Sequence, residues 1–463
     1  MLEQTANQIL GSCMTESKSL QGKAMIDRHR DGRYLIILGA AVLILLSSAL
    51  WLKMDWSMAD FKSLYYASKC LDQHTDPYNA ANALVLVHAD GIDRMAKPTI
   101  ASTMDVHNPY PPTQFVFTAP LGLFSLRSAG LLWVLLSLAC LLLAATAVWK
   151  TSAAHAPVLS GALIGFVLAN SETVIALGNA AAIATGLCVI AAWCLLSNRY
   201  VVFGVIALSL SMMLKPQDSG LVWLFLILAG GAYKKRALQA ALAALAFSAP
   251  VFLWVTLAAP HWPKELIANI AMYSAQGGIN DPGPTSPLWP TAIVSLQTVI
   301  SLVDNTPRHY DAVAFLFCAA LFLPLAIAAF RSKVSPSNAW IGLAAIAAIT
   351  MLAGYHRRND TKLLLLCIPA CALLLSQDKV RGRLALAVTA APIFFTGDNP
   401  CTMTFMFLHH LRQSHQHLAD SLQAPLQVLP APLSIFVMAI FYVWIFVRRA
   451  SEVEAQTLTP ATV

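Results

Sequence analysis

The sequence predicts an all-α membrane protein that crosses the bilayer many times. Of its 463 residues, 57% are apolar and only 11% are charged, and the mean hydropathy is +0.64. Soluble proteins carry roughly 25% charged residues, so a string of soluble domains is excluded. The apolar residues form long uncharged runs such as Leu35 to Leu52 and Ser128 to Trp149. Each run approaches the ~20 residues that cross a ~30 Å hydrocarbon core.

Twelve spans follow if the N-terminal segment lies in the cytoplasm. We place them near residues 33–52, 129–149, 156–177, 179–197, 200–214, 218–233, 237–258, 310–330, 338–354, 361–376, 383–397 and 433–447. The strongly basic short loops, including Lys234-Lys235-Arg236, then lie on the cytoplasmic side, as expected for membrane proteins. We therefore expect a cytoplasmic leader over 1–32, one transmembrane domain over 33–447 and a cytoplasmic tail over 448–463.

The charge of the chain follows from this arrangement. The net charge of +7 comes from the inner loops, so it gives no reason to expect a nucleic-acid partner. The first apolar run begins only after a polar segment that contains Lys23 and Arg33. A cleaved signal peptide is therefore not expected, and the first span should act as a signal anchor.

Irregular, polar and aromatic segments gather on the outer face. They are the segments 53–128, 177–179, 215–218, 260–287, 355–360 and 398–432. Two apolar stretches, Thr113 to Phe124 and Leu288 to Val303, are expected to be re-entrant or interfacial, because counting either as a span would reverse the charge bias. Non-helical backbone at membrane depth requires burial or a hydrated cavity. The pattern predicts an outer-face cavity roofed by the first loop.

The first outer loop should carry a helix from Ala59 to Leu71 that lies along the membrane. Asp60 falls in its first turn. An acid at this position can be a helix cap or a partner of the helix dipole, or it can be a reactive group at the edge of the cavity. The sequence leaves both interpretations open.

Several short motifs occur in a specific order. They are Asp60, Tyr65-Tyr66, Asp76-Pro77-Tyr78, Asn108-Pro109-Tyr110-Pro111-Pro112, Leu214-Lys215-Pro216, and Tyr355-His356 with Asp360. In this order they resemble glycosyltransferase family 87, over roughly residues 35–375. That family belongs to the GT-C superfamily of polytopic transferases, which use polyprenyl-phosphate sugars and include bacterial mannosyltransferases acting on lipid-linked glycans.

The chain departs from the family pattern at two places. Gly178-Asn179-Ala180-Ala181 stands where the family usually has Gly-Gln-x-Asn. Asn170-Ser171-Glu172 stands where a proline is common. Glu172 is either a site residue, as ionisable groups within membranes often are, or a hydrated residue at a helix end.

The resemblance implies a GT-C type fold and an inverting transfer of a hexose, most simply mannose, onto a lipid-linked or cell-envelope glycan. Such a transfer needs a base near the acceptor hydroxyl and cations near the donor phosphate. Asp60 is the candidate base. Lys215 is the candidate phosphate partner, unless it only snorkels to the interface. His356 could orient the acceptor or assist proton transfer, or belong to a polar turn. The further candidate substrate contacts are Arg357, Arg358, Asn179, Tyr65, Tyr110, Asp360 and Glu172.

Neither a cofactor nor the cysteines help to assign a function to the chain. The chemistry requires no cofactor, and a divalent metal is optional. The histidines at 409, 410, 415 and 417 invite a metal interpretation, but the spacing also fits an amphipathic segment on the outer leaflet.

Most of the nine cysteines lie in spans as small core residues. Cys70 and Cys401 fall in outer loops, where a disulfide between them is one option.

The leading interpretation is an enzyme of the inner (plasma) membrane whose active site faces the periplasm. Two other functions are alternatives to it. A multi-pass transporter or flippase of a lipid-linked sugar also fits twelve spans with both termini inside. Transporters often contain two related halves, and no repeat relates Leu35 to Tyr233 with Ala237 to Val447. A family member without activity that only scaffolds other membrane enzymes is the third alternative.

Overall fold

The described part of the chain is helical throughout. The computed structural model describes residues 2–53, 57–91, 106–289 and 293–458. Within these ranges there is no β-strand, only an isolated antiparallel bridge between Ile293 and Arg357. Residues 54–56 and 92–105 of the predicted first outer loop, and residues 459–463 of the predicted tail, lie outside the described residues.

Twenty α-helices follow one another along the described chain. They are α1 (Leu2–Leu52), α2 (Ala59–Asp72), α3 (Ala80–Ala89), α4 (Phe115–Gly122), α5 (Leu126–Ser152), α6 (Pro157–Ala169), α7 (Glu172–Ala176), α8 (Ala181–Leu196), α9 (Val201–Leu214), α10 (Pro216–Leu228), α11 (Gly231–Ala258), α12 (Trp262–Ser274), α13 (Leu296–Ile300), α14 (Pro307–Arg331), α15 (Pro336–Leu352), α16 (Cys367–Gln377), α17 (Lys379–Phe395), α18 (Asp398–Ser414), α19 (Gln416–Gln423) and α20 (Pro430–Leu458). Short 3₁₀ helices cover Pro112–Gln114 and Arg358–Leu366, and a π-helical turn covers Ala424–Val428.

The chain is a polytopic membrane protein. Seven helical segments of the described chain are long and apolar enough to cross a bilayer: Ile26–Leu52, Leu126–Ser152, Pro157–Ala176, Gly231–Ala258, Pro307–Arg331, Arg358–Gln377 and Gln416–Glu452. The other five predicted spans coincide with helices of 13 to 17 residues, namely α8, α9, α10, α15 and α17. The count of twelve crossings, the GT-C fold and the location of the termini therefore stay predictions.

Local sequence explains where many helices begin. Proline occupies the first position of α6, α10, α14 and α15, where its missing N–H costs no hydrogen bond. The Asp378 carboxylate caps α17 by accepting from the N–H groups of Val380 and Arg381. α1 runs from Leu2 to Leu52, so the predicted boundary between the 1–32 leader and the first span falls within one helix.

The helix of the first outer loop is enclosed by protein. The sequence predicts Ala59 to Leu71, and the structure has α2 at Ala59–Asp72. Every residue from Phe61 to Leu71 except Lys69 is buried. Its direction relative to the bilayer stays a prediction, but α2 does not lie on the surface as an amphipathic membrane helix does.

The two apolar stretches left out of the span count form only short helices. The first contains a 3₁₀ turn and α4, which ends at Gly122. The second contains α13, a helix of 5 residues. Neither reaches the ~20 residues needed for a crossing, so the structure agrees with leaving both out.

The disulfide considered for Cys70 and Cys401 is absent. Both thiols are free; Cys70 is buried, and Cys401 is the one described cysteine that is partly exposed. A bond between them is therefore not part of this fold.

The predicted topology can be tested by thiol labelling on either side of α11. In a Cys401→Ser background, an exposed cysteine at Ala275→Cys, beyond α12, should react with an impermeant maleimide in intact cells. A cysteine at Lys235→Cys, exposed at the other end of α11, should react only after the cells are permeabilised. Labelling of position 235 in intact cells would reverse the proposed orientation.

Candidate active site

A cavity of about 600 Å³ lies where the predicted outer segments meet. It is lined by residues from the start of α2, the Pro109–Pro111 segment, the turns before α8 and α10, α12, the segment before α16 and the start of α18. Seven of the ten predicted site residues line it: Asp60, Tyr110, Asn179, Lys215, Arg357, Arg358 and Asp360. These seven residues come from distant parts of the chain, and the fold brings them to one cavity.

The start of α2 is fixed against the turn that precedes α8. The Met58 N–H donates to the Ala176 carbonyl at 2.6 Å, and the Asp60 N–H donates to the Leu177 carbonyl at 2.9 Å. Gly178 in this turn has φ +62°, and a Cβ there would lie 2.6 Å from the Phe61 Cβ. Only glycine combines this backbone with this close approach. The turn thereby holds Asp60 at the cavity wall.

The Asp60 carboxylate is held by Asn179 rather than by its own helix. Asn179 Nδ2 donates to Asp60 Oδ2 at 2.5 Å, and no side chain caps the N-terminus of α2. The capping interpretation of Asp60 therefore has no support. Burial raises the pKa of Asp60, while the Arg357 charge and the Asn179 hydrogen bond oppose the rise. A carboxylate with a raised pKa is a stronger proton acceptor once it is ionised.

Asn179 also connects Asp60 to the cationic side of the cavity. Its Oδ1 accepts from the Ala181 N–H at 2.9 Å and lies 3.5 Å from Lys215 Nζ. The amide at the departure from the family pattern is thus shorter than glutamine but bonds directly to Asp60.

Lys215 belongs to a buried cluster of four charged groups. Its ammonium bonds to Asp360 Oδ1 and lies 3.8 Å from Asp218 Oδ2. His356 Nδ1 lies 3.3 Å from Asp360 Oδ2 and 3.4 Å from Asp218 Oδ1. Two carboxylates therefore face one ammonium and one imidazole.

Lys215 and His356 supply the positive charge of this cluster at neutral pH. Burial lowers the pKa of His356, but its hydrogen bonds to Asp218 and Asp360 outweigh burial and raise it to about 9. Burial likewise opposes the charge of Lys215, whereas Asp218 and Asp360 raise its pKa. Both cations are therefore retained, and they compensate two carboxylates that would otherwise be costly to bury.

The ligand atoms of Asp218, His356 and Asp360 lie within 4.8 Å of one another, a spacing that a metal ion could use. Lys215 already supplies a cation to both carboxylates, and a protonated His356 has no lone pair to offer. The residues therefore fit an ion-pair cluster better than a metal centre.

Arg357 is the second cation at the cavity. Its Nη2 donates to the Ile279 carbonyl at 2.9 Å and to Asn280 Oδ1 at 2.7 Å, and its guanidinium lies 5.4 Å from the centre of the Tyr355 ring. Its buried Nε has no hydrogen-bond partner among the described residues. Arg357 as a residue nevertheless lines the cavity.

Arg358 and Asn359 complete this wall. Arg358 Nη1 donates to the Phe395 carbonyl at 3.0 Å. Both polar atoms of the Asn359 side chain are buried without a partner among the described residues, although Asn359 lines the cavity.

Three predicted site residues do not reach the cavity wall. Tyr65 is buried, and its hydroxyl donates to the Phe124 carbonyl at 2.8 Å. Five helical positions turn the chain by roughly 140° beyond a full turn, so Tyr65 points away from the side of α2 that presents Asp60. Glu172 begins α7, half-buried, beside the cavity but not in its wall. His356 lies behind Asp360 and contacts the cavity only through it.

Sequence reasoning missed several residues. Asp218 was recognised only as part of a turn, yet it is completely buried beside Lys215; an acid at the start of an apolar helix was the available signal. Asp398, whose Oδ2 accepts from the Thr173 N–H at 2.8 Å, also lines the cavity. Asn280 had no signal, because its role depends on contact with Arg357.

The histidines after α17 do not form a metal site. His409 and His410 are exposed on α18, and His415 and His417 are exposed around the start of α19. Within the described ranges, the only group of possible metal ligands that converges is the Asp218 cluster. The amphipathic interpretation is favoured, since Met403 and Met406 on α18 are 70% and 63% exposed.

No protein-family model, no curated protein and no solved structure matches this chain. The resemblance to glycosyltransferase family 87 therefore stays a prediction. The cavity and its charged groups must carry any functional proposal.

Proposed function

We propose that the protein is an integral-membrane glycosyltransferase of the GT-C type that moves a hexose from a polyprenyl-phosphate sugar to a hydroxyl of a lipid-linked or cell-envelope glycan. The observation that carries the proposal is that one cavity is lined by Asp60, Arg357 and Lys215. A base and cations around one enclosed space are what this transfer requires.

The reaction is a single displacement. The acceptor oxygen attacks the anomeric carbon while the Asp60 carboxylate takes the hydroxyl proton. The bond between the anomeric carbon and the phosphate oxygen breaks, and polyprenyl phosphate leaves with the electron pair. The configuration at the anomeric carbon is inverted. No acid is needed for the leaving group, because it departs as a phosphate anion.

Arg357 is the main phosphate partner in this proposal. Arg357 lines the cavity, and a guanidinium recognises phosphate with a fixed donor geometry. Lys215 is already paired with Asp360, so it contributes its charge and orients Asn179 and Asp360. Arg358 and Tyr110 form further parts of the lining.

A lipid-linked donor fits the surroundings of the cavity. α12 contributes Ile270 and Tyr273 to the lining, and α18 contributes Cys401 and Thr402. Both helices also present apolar side chains outward, with Ile267 68% exposed and Met403 70% exposed. Exposed apolar side chains next to a cavity that contains charged groups favour a substrate that has a polar head and a lipid chain.

The proposal is tested with purified protein in lipid nanodiscs. Radiolabelled polyprenyl-phosphate mannose, and then other hexose donors, are incubated with extracted envelope glycolipids, and the label is followed into the glycan. Transfer that also releases polyprenyl phosphate supports the enzyme. Donor binding without transfer for every donor and acceptor pool would favour the scaffold, and movement of an intact lipid-linked sugar across proteoliposomes would favour the flippase.

Lys215 should contribute mainly through its charge. We expect Lys215→Ala to weaken donor binding roughly tenfold or more, because it leaves Asp218 and Asp360 buried without their ammonium. Lys215→Arg keeps a cation, so its affinity for the donor should fall less than that of Lys215→Ala. Binding of a labelled donor to the purified variants measures this difference, and unimpaired binding by both variants would leave Lys215 with no role at the site.

A further inference from the structure

A second cleft lies at the opposite ends of α1 and α5 from the candidate active site. Its volume is about 580 Å³, and it is lined by residues of the segments 29–37 and 146–154. None of these lining residues takes part in the charged cluster or in the proposed transfer. The cleft is therefore a separate feature of the molecule.

The segment of α1 that lines the cleft is held close to α6. A Cβ at Gly39 would lie 2.2 Å from the Gly165 carbonyl oxygen, and a Cβ at Gly161 would lie 2.2 Å from the Gly32 carbonyl oxygen. Small residues allow membrane helices to approach this closely. Trp149 of α5 also packs against α1, since a Cβ at Gly32 would lie 2.7 Å from its Cη2.

The walls of the cleft differ in polarity along its length. Ile36 and Ile37 of α1 form an apolar part. The lining also contains Arg33, Lys150 and His29, whose ring packs against Trp149 at 6.2 Å between centroids. Among the described residues that line the cleft, none is acidic.

The cations lie at the boundary of the apolar stretches of their helices. Arg33 directly precedes the apolar run of α1, and Lys150 directly follows that of α5. This is the depth of lipid headgroups, where Lys and Arg are concentrated. Lys150 Nζ also lies 5.1 Å from the centre of the Trp193 ring, which fixes it near the cleft, and Arg33 is exposed.

We propose that this cleft binds an anionic phospholipid. The headgroup phosphate contacts Arg33 and Lys150, and one acyl chain lies against Ile36 and Ile37. Basic pockets between membrane helices recognise anionic headgroups in this way. The described lining contains basic residues and no acid, so its charge complements a negatively charged headgroup. A zwitterionic headgroup would also bring a cation close to Arg33 and Lys150.

The site is tested by native mass spectrometry of the purified full-length protein. The probes are phosphatidylglycerol and phosphatidylcholine with identical chains, together with phosphatidylglycerol with six-carbon chains. We expect long-chain phosphatidylglycerol to bind at least tenfold better than either of the other two. Equal retention of phosphatidylglycerol and phosphatidylcholine would overturn the proposal, and equal binding of the short-chain lipid would show a phosphate site without a chain groove.

Charge variants separate a site from a diffuse attraction. Arg33→Gln with Lys150→Gln should reduce phosphatidylglycerol binding roughly tenfold or more, as two phosphate contacts are lost. The matched control, Arg28→Gln with Arg199→Gln, removes two exposed basic residues outside the cleft and should keep the binding. An equal loss in both pairs would overturn the proposal. Size-exclusion profiles and thermal unfolding of each variant establish that it is folded.

Discussion

Asp60→Asn should reduce sugar transfer by roughly 10²–10⁴-fold, the usual contribution of a general base. The asparagine has nearly the same size, and its oxygen can still accept from Asn179 Nδ2, which is 2.5 Å from Asp60 Oδ2. It cannot take the acceptor's proton. The variant should therefore insert, fold and bind the lipid donor while turnover is lost, as measured with a labelled donor under single-turnover conditions.

Two other variants make this prediction specific. Asp60→Glu keeps the charge but moves it by one methylene, so part of the rate should be lost through misplacement. Asp398→Asn removes another carboxylate of the same cavity. This variant should lose much less of the transfer rate than Asp60→Asn. Near-normal transfer by a well-expressed Asp60→Asn protein would remove Asp60 from the mechanism. A large loss in Asp398→Asn alone would assign the base to Asp398.

The same assignment predicts a pH dependence. Because burial raises the pKa of Asp60, transfer should decline as the pH falls through a value above the ordinary range of an aspartate, as the base becomes protonated. On the alkaline side, transfer should decline above a pH of about 9, where His356 loses its proton and the cluster with Asp218 gains a net negative charge. A profile in which kcat/KM is flat down to pH 4 would contradict the acid limb.

The helices were predictable because their signals are local. Runs such as Ser128 to Trp149 have the length and apolarity of a span, and α5 covers that run at Leu126–Ser152. Prolines and capping residues mark many of the helix starts. The exception is the break between α6 and α7, where Asn170 interrupts a stretch that hydropathy alone reads as continuous.

The site was predictable only where the order of motifs carried information. Asp60, Lys215 and Asp360 come from segments far apart in sequence, and their motifs indicated that they act together. The direction of a side chain depends on packing, which a motif does not encode. Tyr65 illustrates this, because α2 is buried on nearly all sides and its sequence does not reveal which side meets the cavity.

The balance of charges in the site also depends on tertiary contacts. Asp218 and His356 are 3.4 Å apart in the structure, but no local pattern connects them. Lys215 is held between Asp218 and Asp360, and for this reason we propose Arg357 as the main phosphate contact. The sequence predicted both cations as candidate phosphate contacts, but it did not indicate that Lys215 would be paired with buried carboxylates.

Arg357→Ala should reduce kcat/KM for transfer by roughly 10²–10³-fold, because a preorganised donor at the departing phosphate is lost. Arg357→Lys keeps the charge but not the fixed donor geometry, so it should recover only part of the rate. Arg357 also anchors the chain at Asn280, with 2.7 Å between Nη2 and Oδ1. Asn280→Ala is the matched control, since it removes that contact and leaves the guanidinium. If Asn280→Ala loses as much activity as Arg357→Ala, the arginine positions the loop; if Asn280→Ala stays within a few fold of the wild type, the guanidinium itself acts on the phosphate.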